Sequence, residues 1–457
     1  MEITKAKNTK KGHKLTVWRY LALGYFIIIL LGSILLILPF ATKDGQKTGY
    51  LNALFTATSA SCVTGLVPYD TGIHWSTFGQ IVILLLIQMG GLGFTTFVSI
   101  VFLFARGGLG VHERKVVMQS YGGQSYRGIG TLIKRIMIGS LLIEFAGACL
   151  LCISFVPKFG GIGVYYAVFH SVSAFCNAGF DLMGGAPDGA PFVSLTQFAT
   201  DPVVSLVIPV LIILGGLGFC VWGDVIDCKF NFKKFRLFTQ VVLIMTGVLL
   251  VGGTGLFLLF ERNNPSYAGY NFGQKLMCSF FNAATARTAG FASTPLDTLS
   301  DSGFLLMLVL MFIGGSSGST AGGIKVSTFA VIIMGMLAAF RGRKDVNIGR
   351  KRLEPELVAQ ALAIFAAYLM LTLTATVVIC AIEPEGQFKE ILFETVSAIG
   401  TVGLSVSLTP TLTIASKIIL ILLMYTGRVG ILTLALALGR KRSSNAVRKP
   451  AESLFIG

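Results

Sequence analysis

Ser61-Cys62-Val63-Thr64-Gly65, Phe175-Cys176-Asn177-Ala178-Gly179, Ala286-Arg287-Thr288-Ala289-Gly290 and Ile399-Gly400-Thr401-Val402-Gly403 are four copies of one short stretch ending in glycine. The glycines stand 114, 111 and 113 residues apart in a chain of 457. Each copy follows a short amphipathic run and lies between two long apolar stretches. A chain that repeats the unit apolar–loop–apolar four times is expected to set four equivalent loops around one axis. Such loops around an axis describe a pore.

Composition points the same way. Hydrophobic residues make up 54% of the chain and charged residues 13%, with a mean hydropathy of +0.77. That balance excludes an ordinary soluble domain and fits an all-α integral membrane protein. Apolar stretches run at about 17–38, 77–104, 133–156, 203–222, 237–260, 303–339, 357–382 and 412–438. Each reaches or approaches the ~20 residues that cross the hydrocarbon. The first follows a basic head without a small-residue cleavage site, so it reads as a retained helix rather than a signal peptide.

The net charge of +16 is distributed for a membrane, not for nucleic acid. Basic residues precede the first span (Lys5, Lys7, Lys10, Lys11, Lys14, Arg19) and recur in every second connector. Those connectors hold Arg114, Lys115, Arg127, Lys134 and Arg135, then Lys233, Lys234 and Arg236, then the run from Arg341 to Arg352. Arg440, Lys441, Arg442, Arg448 and Lys449 follow in the tail. The positive-inside rule therefore places both termini in the cytoplasm of a multi-pass protein of the cell membrane. Cys149 and Cys152 form C-x-x-C inside an apolar helix, where a packing role is expected. His13, His74, His112 and His170 have no metal-ligand spacing, so no structural metal is expected.

With the repeat as the unit, the chain divides into a cytoplasmic N-terminal segment (1–14), four units (15–110, 125–228, 235–345 and 355–440) and a cytoplasmic tail (441–457). Each unit holds a first span (M1), a short re-entrant helix with its loop (P) and a second span (M2). The P helices are predicted at Tyr50–Ser61, Val164–Phe175, Gly273–Ala286 and Phe388–Ile399. They are too short to span, and irregular backbone at that depth is tolerated only where protein or a watery cavity surrounds it. A second motif keeps the same register. Gly-Gly-Leu-Gly-Phe occurs at Gly90–Phe94 and at Gly215–Phe219; its counterparts are Gly314-Gly315-Ser316-Ser317-Gly318 and Gly427-Arg428-Val429-Gly430-Ile431. The offsets from the loop glycines are 25, 36, 24 and 24, the second lengthened by an insertion around Met183–Pro191.

These loops, read through Val63-Thr64-Gly65-Leu66, Asn177-Ala178-Gly179-Phe180, Arg287-Thr288-Ala289-Gly290-Phe291 and Val402-Gly403-Leu404, resemble the Trk/Ktr/HKT superfamily of potassium transporters. The run from Gly314 through Gly323 to Lys325 is the most specific element of that resemblance, which covers about residues 17–440. No helix pair precedes the first span, so the chain looks closest to the KtrB-type membrane subunit. The resemblance implies four M1-P-M2 units in pseudo-four-fold arrangement around one pore. It also implies a homodimer with one pore per subunit and a cytoplasmic ring of nucleotide-binding regulatory subunits of the KtrA type. It implies potassium uptake and no enzyme activity, with K+ as the transported ion and Na+ open as a coupling or regulatory ion. The alternative within the superfamily is a sodium or mixed-cation conductor. Besides these the partners are membrane lipids, and no nucleic acid.

Potassium sheds its water only where oxygens replace it, and rings of backbone carbonyls do so. Glycine permits the backbone angles that turn carbonyls to an axis. Gly65, Gly179, Gly290 and Gly403 are therefore expected to form one ring. Val63, Thr64, Asn177, Ala178, Thr288, Ala289, Thr401 and Val402 would supply the neighbouring carbonyls of this selectivity filter. In the superfamily, serine at the first glycine position goes with sodium; four glycines favour potassium. Arg287 is expected behind the filter, paired with the buried acid Glu394, because ionisable groups at membrane depth take partners. Glu144 is expected to make a packing hydrogen bond. The acids of the outer loops, among them Asp44, Asp70, Asp181, Asp188, Asp201, Glu261 and Glu383, would form a cation-attracting vestibule or simply solvated loops.

The gate candidate is the glycine-rich interruption of the third M2, comprising Gly314, Gly315, Ser316, Ser317, Gly318, Ser319, Thr320, Ala321, Gly322 and Gly323, with Lys325 after it. Each glycine costs a helix roughly 1 kcal/mol against alanine, so a break is expected there. A phosphate loop is excluded because Ile324 holds the lysine position and no strand precedes it. A nucleophilic serine is excluded because no base with a supporting motif is in evidence. Arg428, at the matching position of unit 4, is expected beside this loop.

Overall fold

The computed structural model describes residues 16–93, 96, 97, 99, 129–187, 189–343, 345–348 and 351–438. The N-terminal segment 1–14, the tail 441–457 and the connector carrying Arg114, Lys115 and Arg127 lie outside these residues, as do His13, His112 and Asp188.

Helices dominate, in an order that repeats. A long apolar helix is followed by a short one, a loop and a second apolar helix. α1 (Val17–Ile37) leads to α2 (Tyr50–Ser61), the short α3 (Thr71–His74) and α4 (Thr77–Gly91). α5 (Ile129–Phe159) leads to α6 (Ile162–Phe175), α7 (Pro202–Leu217) and α8 (Phe219–Asp227). α9 (Leu237–Phe260) leads to α10 (Phe272–Thr285), α11 (Asp301–Phe312) and α12 (Val326–Phe340). A two-residue hairpin of β1 (Asn347–Ile348) and β2 (Lys351–Arg352) follows, antiparallel, with Asn347 opposite Arg352. α13 (Pro355–Ile382), α14 (Phe388–Gly400), α15 (Ile414–Val429) and α16 (Ile431–Leu438) complete the chain.

Length sorts the helices by what they can do. α1, with 21 residues, is about 31 Å long at 1.5 Å per residue and matches the ~30 Å hydrocarbon core. α5, α9 and α13 are longer still, and all four are apolar enough to cross a membrane. α2, with 12 residues, is about 18 Å long and cannot cross. Exposure follows a membrane logic as well. On the long helices Phe145 is 70% exposed, Val251 76% and Met370 69%, side chains that lipid accepts and water does not. The interior holds the short helices: Ala53, Phe55, Ala57, Ala167, Phe169, Ala283 and Phe393 are fully enclosed.

Breaks in the second spans have local causes. α7 and α8 meet at 89° and α15 and α16 at 92°. The joints are Gly218 (φ +95°) and Gly430 (φ +89°), a region that residues with a Cβ rarely enter. The third span is interrupted as its glycines predict. α11 ends at Phe312, α12 starts at Val326, and the strand-like bridge of Ile313 to Ile324 closes the loop between them. The breaks in units 2 and 4 were not expected. Their signal was the glycine motif itself, which puts a positive-φ glycine at Gly93, Gly218, Gly318 and Gly430 alike.

Candidate functional site

Four of the short helices, α2, α6, α10 and α14, end immediately before the four glycine stretches. Their last turns pass into the loops through matching backbone bonds. Thr64 N–H donates to Ser59 O and Ala178 N–H to Ser173 O (both 2.8 Å), Ala289 N–H to Thr285 O (3.0 Å) and Val402 N–H to Ser397 O (2.8 Å). The residues two before each glycine share an unusual backbone. Val63, Asn177, Thr288 and Thr401 have φ of +57°, +58°, +65° and +51°. Left-handed backbone costs a non-glycine residue about 1–2 kcal/mol, so the surroundings impose it four times over.

The glycines then close a ring. A Cβ on Gly65 would meet Ala178 O at 2.6 Å, one on Gly179 would meet Ala289 O at 2.8 Å, and one on Gly290 would meet Val402 O at 2.6 Å. A Cβ on Gly403 would meet Thr64 O, which returns to the first loop. Each loop thus presses its glycine against the carbonyl that precedes the next glycine, in cyclic order. Four helix C-termini, each carrying a partial negative charge, end beside this ring of carbonyls. The arrangement favours a cation at its centre.

Hydroxyls inside the short helices brace the loops, a role the sequence reading missed. Gly65 N–H donates to Ser59 Oγ and Gly403 N–H to Ser397 Oγ, both at 3.0 Å. Ser173 Oγ donates to Phe180 O at 2.7 Å and Thr285 Oγ1 to Phe291 O at 2.6 Å. The signal was available: Ser59, Ser173 and Ser397 each stand six residues before their glycine.

The expected pairing of Arg287 with Glu394 does not occur. Arg287 is buried and its Nη2 donates to Thr246 Oγ1 of α9 at 3.3 Å. Glu394 accepts instead from Ser405 Oγ and, at 2.9 Å, from Thr409 Oγ1. The two side chains sit on different short helices, and each meets hydroxyls of its own surroundings. Among the described residues the ion pairs are Arg135–Asp227, Arg236–Asp224 and Arg352–Asp345; both partners are exposed in the first and third, and the arginine alone in the second. Glu144 does make a packing hydrogen bond: Gln88 Nε2 donates to its two carboxylate oxygens at 3.0 and 3.1 Å. Cys176, one residue before Asn177, lies against the same pair.

On one side of the ring lies a cavity of about 90 Å³ lined by Gly65, Gly179, Gly290 and Gly403 together with Asp70 and Asp181. Asp70 Oδ1 caps α3 through Gly72 and Ile73, and its Oδ2 accepts from Phe192 N–H at 2.8 Å. Enclosure, with the neighbouring Asp70 charge adding to it, pushes the Asp181 carboxyl up to about 7. The other outer acids divide differently. Glu261 is buried and accepts from Ser300 N–H and Oγ, Asp201 caps α7, and Glu383 accepts from Thr413 and Ser416. They build structure rather than a vestibule.

On the other side lies the loop 314–323, followed by Lys325. Its backbone is pinned to the bend of α7: Ser316 N–H donates to Gly216 O at 2.9 Å and Thr320 N–H to Gly215 O at 3.2 Å. Phe219 N–H returns a bond to Gly318 O at 2.9 Å. Gly314 N–H donates to Ile324 O and Val326 N–H to Gly315 O, both at 2.9 Å. Lys325 Nζ donates to Ala321 O at 2.8 Å, so its charge meets the carbonyls of the loop itself. Arg428 donates to Thr320 O of the loop and to Gly90 O and Gly91 O at the end of α4. Beyond the loop a second cavity of about 490 Å³ is lined by Tyr25, Gly318, Lys325, Tyr368 and Arg428 among others.

Residues 25–448 match the family model TrkH, described as a cation transport protein. The chain belongs to this family. It is 39% identical over 450 residues to the potassium/sodium uptake protein NtpJ of Enterococcus hirae, covering 97% of this chain and 98% of that one. It is 39% identical over 441 residues to the Ktr system potassium uptake protein B of Bacillus subtilis, covering 96% of each. The potassium transporter TrkH of Vibrio parahaemolyticus shares the fold, with a TM-score of 0.71 at 19% identity over 94% of this chain and 86% of that one. The protein is a multi-pass membrane transporter for cation uptake and not an enzyme.

Proposed function

We propose that the protein takes up potassium through a single pore per subunit, whose selectivity filter is the ring of Gly65, Gly179, Gly290 and Gly403 with the carbonyls beside it. The chain is then four M1-P-M2 units in pseudo-four-fold arrangement, spanning 15–110, 125–228, 235–345 and 355–440. The cyclic contact of each glycine with the next loop's carbonyl carries this reading. A ring of oxygens replaces the water a cation sheds on entry, and the membrane potential draws it inward at ~2.3 kcal/mol per charge per 100 mV. The loop 314–323 lies across the path on one side of the filter, and Arg428 ties it to α4, which supports its assignment as the gate.

Both termini and the basic connectors face the cytoplasm in this reading, and the acidic cavity with Asp70 and Asp181 is the outer mouth. The subunit pairs as a homodimer and is controlled by a cytoplasmic nucleotide-binding ring of the KtrA type, as the resemblance to the superfamily implies. That one relative is named protein B of a Ktr system fits a transporter of more than one component. Arg287 and Glu394 stiffen the filter from behind, each through its own hydroxyl partners. A mixed potassium and sodium conductor is the second reading, favoured by the relative named a potassium/sodium uptake protein; Na+ then serves as cargo or coupling ion. The test is growth of a bacterium lacking potassium uptake. Expression of the full chain should restore growth on limiting potassium, and no restoration with the protein present in the membrane would count against the reading. Sodium competition in the same strain separates the two versions.

A further inference from the structure

The loop 314–323 touches two of the four filter stretches directly, at Asn177 and Thr401. Asn177 and Thr401 are both held in left-handed backbone two positions before their glycines. The amide of Asn177 lies 2.9 Å from Thr320 Oγ1 and makes this hydrogen bond in either orientation of the amide. Thr320 is fully buried, and its own N–H and carbonyl are taken by Gly215 O and Arg428. Its side chain therefore has little freedom to turn elsewhere. On the opposite loop, Gly322 is packed so closely on Thr401 that a Cβ there would collide with the Thr401 hydroxyl. Thr401 Oγ1 is buried without a hydrogen-bond partner. The segment 320–322 thus spans from the second filter stretch to the fourth.

We infer that the loop is part of the filter's scaffold as well as an obstacle, and that Thr320 and Asn177 are positioning residues through which the loop's place sets the filter's ion preference. The inference rests on the proposed function. Asparagine tolerates left-handed backbone better than other side chains, but it keeps one geometry only while its amide is held. When the loop leaves, the Thr320 bond breaks and the space beside Thr401 opens. Two of the four stretches lose a neighbour while the other two do not, and the carbonyl ring loses its uniform spacing. Ion preference and gating are then linked, so selectivity differs between states with the loop in and out.

A double-mutant cycle on the full-length protein in liposomes tests this. The readouts are potassium flux and the potassium-to-sodium preference of N177G, T320V, the double variant and T320S. N177G permits the same backbone but removes the amide; T320V removes only the hydroxyl. Loss of one hydrogen bond corresponds to about a three- to tenfold fall in preference for each single variant. The double variant should fall no further than the worse single one, because both changes delete the same link, and T320S should retain the wild-type preference. A T320V preference within twofold of wild type, with flux altered or not, overturns the inference, as do additive losses in the double variant. T320A takes the place of T320V if the latter fails to elute as a folded species. Absence of potassium flux in the wild type would instead refute the proposed function.

Discussion

Gly65 has φ of +97° and no room for a Cβ, since Ala178 O would stand 2.6 Å from it. Either fact alone would disfavour a side chain; together they make the position a sensitive probe of the ring. Gly65→Ser should lower potassium preference over sodium by an order of magnitude or so while leaving the protein in the membrane, because one of four oxygens must shift to admit the side chain. Ion competition in liposomes measures it, and full retention of potassium preference would sink the filter assignment. The residue scale also holds the failed pairing. Arg287 and Glu394 were expected together because each lacks an obvious partner in the sequence. Hydroxyl donors and acceptors are too common in these helices to single out, and Thr246, Ser405 and Thr409 become recognisable only once the loops are folded.

At the scale of elements, the short helices were readable to within about two residues at their ends, because an amphipathic run bounded by glycine has few other outcomes. The bends were readable only in part. Seven glycine or small polar positions in a row, from Gly314 to Thr320, with Gly322 and Gly323 close behind, announce the interruption between α11 and α12. At Gly218 and Gly430 only the repeated motif carries a signal, since a glycine taken alone reads like the packing glycines that membrane helices use freely, yet each turns its span through about a right angle. The loop 314–323 is held at both ends by backbone bonds and in its middle by Arg428. Removing residues 316–319 should therefore raise basal flux several-fold, since the obstacle shrinks while the ring persists. If the link to Asn177 holds, selectivity falls with it. Flux equal to wild type in liposomes would remove the loop from the gating assignment.

The whole molecule presents large apolar side chains outward as well as burying them, and its interior mixes that apolar core with buried hydroxyls; only the outer surface departs from a soluble fold. In the proposed orientation the basic connectors face the cytoplasm and the cavity lined by Asp70 and Asp181 faces outward. The proposed orientation puts both termini in the cytoplasm, so tags placed at either end should be cleaved by protease in inside-out vesicles and protected in right-side-out ones. Opposite protection of the two ends would require an odd number of crossings and would break the four-unit scheme. Purified in mild detergent, the chain should have the mass of two copies by light scattering after correction for detergent.

The sequence by itself determined the membrane class, the four equivalent stretches, the short helices before them and the broken third span. All of these are local: hydropathy acts over ~20 residues, and a glycine announces its own backbone. Family membership was legible for the same reason, since the glycine stretches and the 314–323 run are contiguous in the chain. Tertiary structure decided what lies across from what. Arg428 was expected beside the loop from its place in the motif, but only in the fold does Gly403 meet Thr64 O, Arg428 choose Thr320 and reach Gly90, and Thr320 meet Asn177, partners separated by 108 to 338 residues where the hydrogen bonds are concerned, 143 of them between Thr320 and Asn177. Such contacts are fixed by the packing of whole helices around the ring. No spacing within a single stretch encodes them.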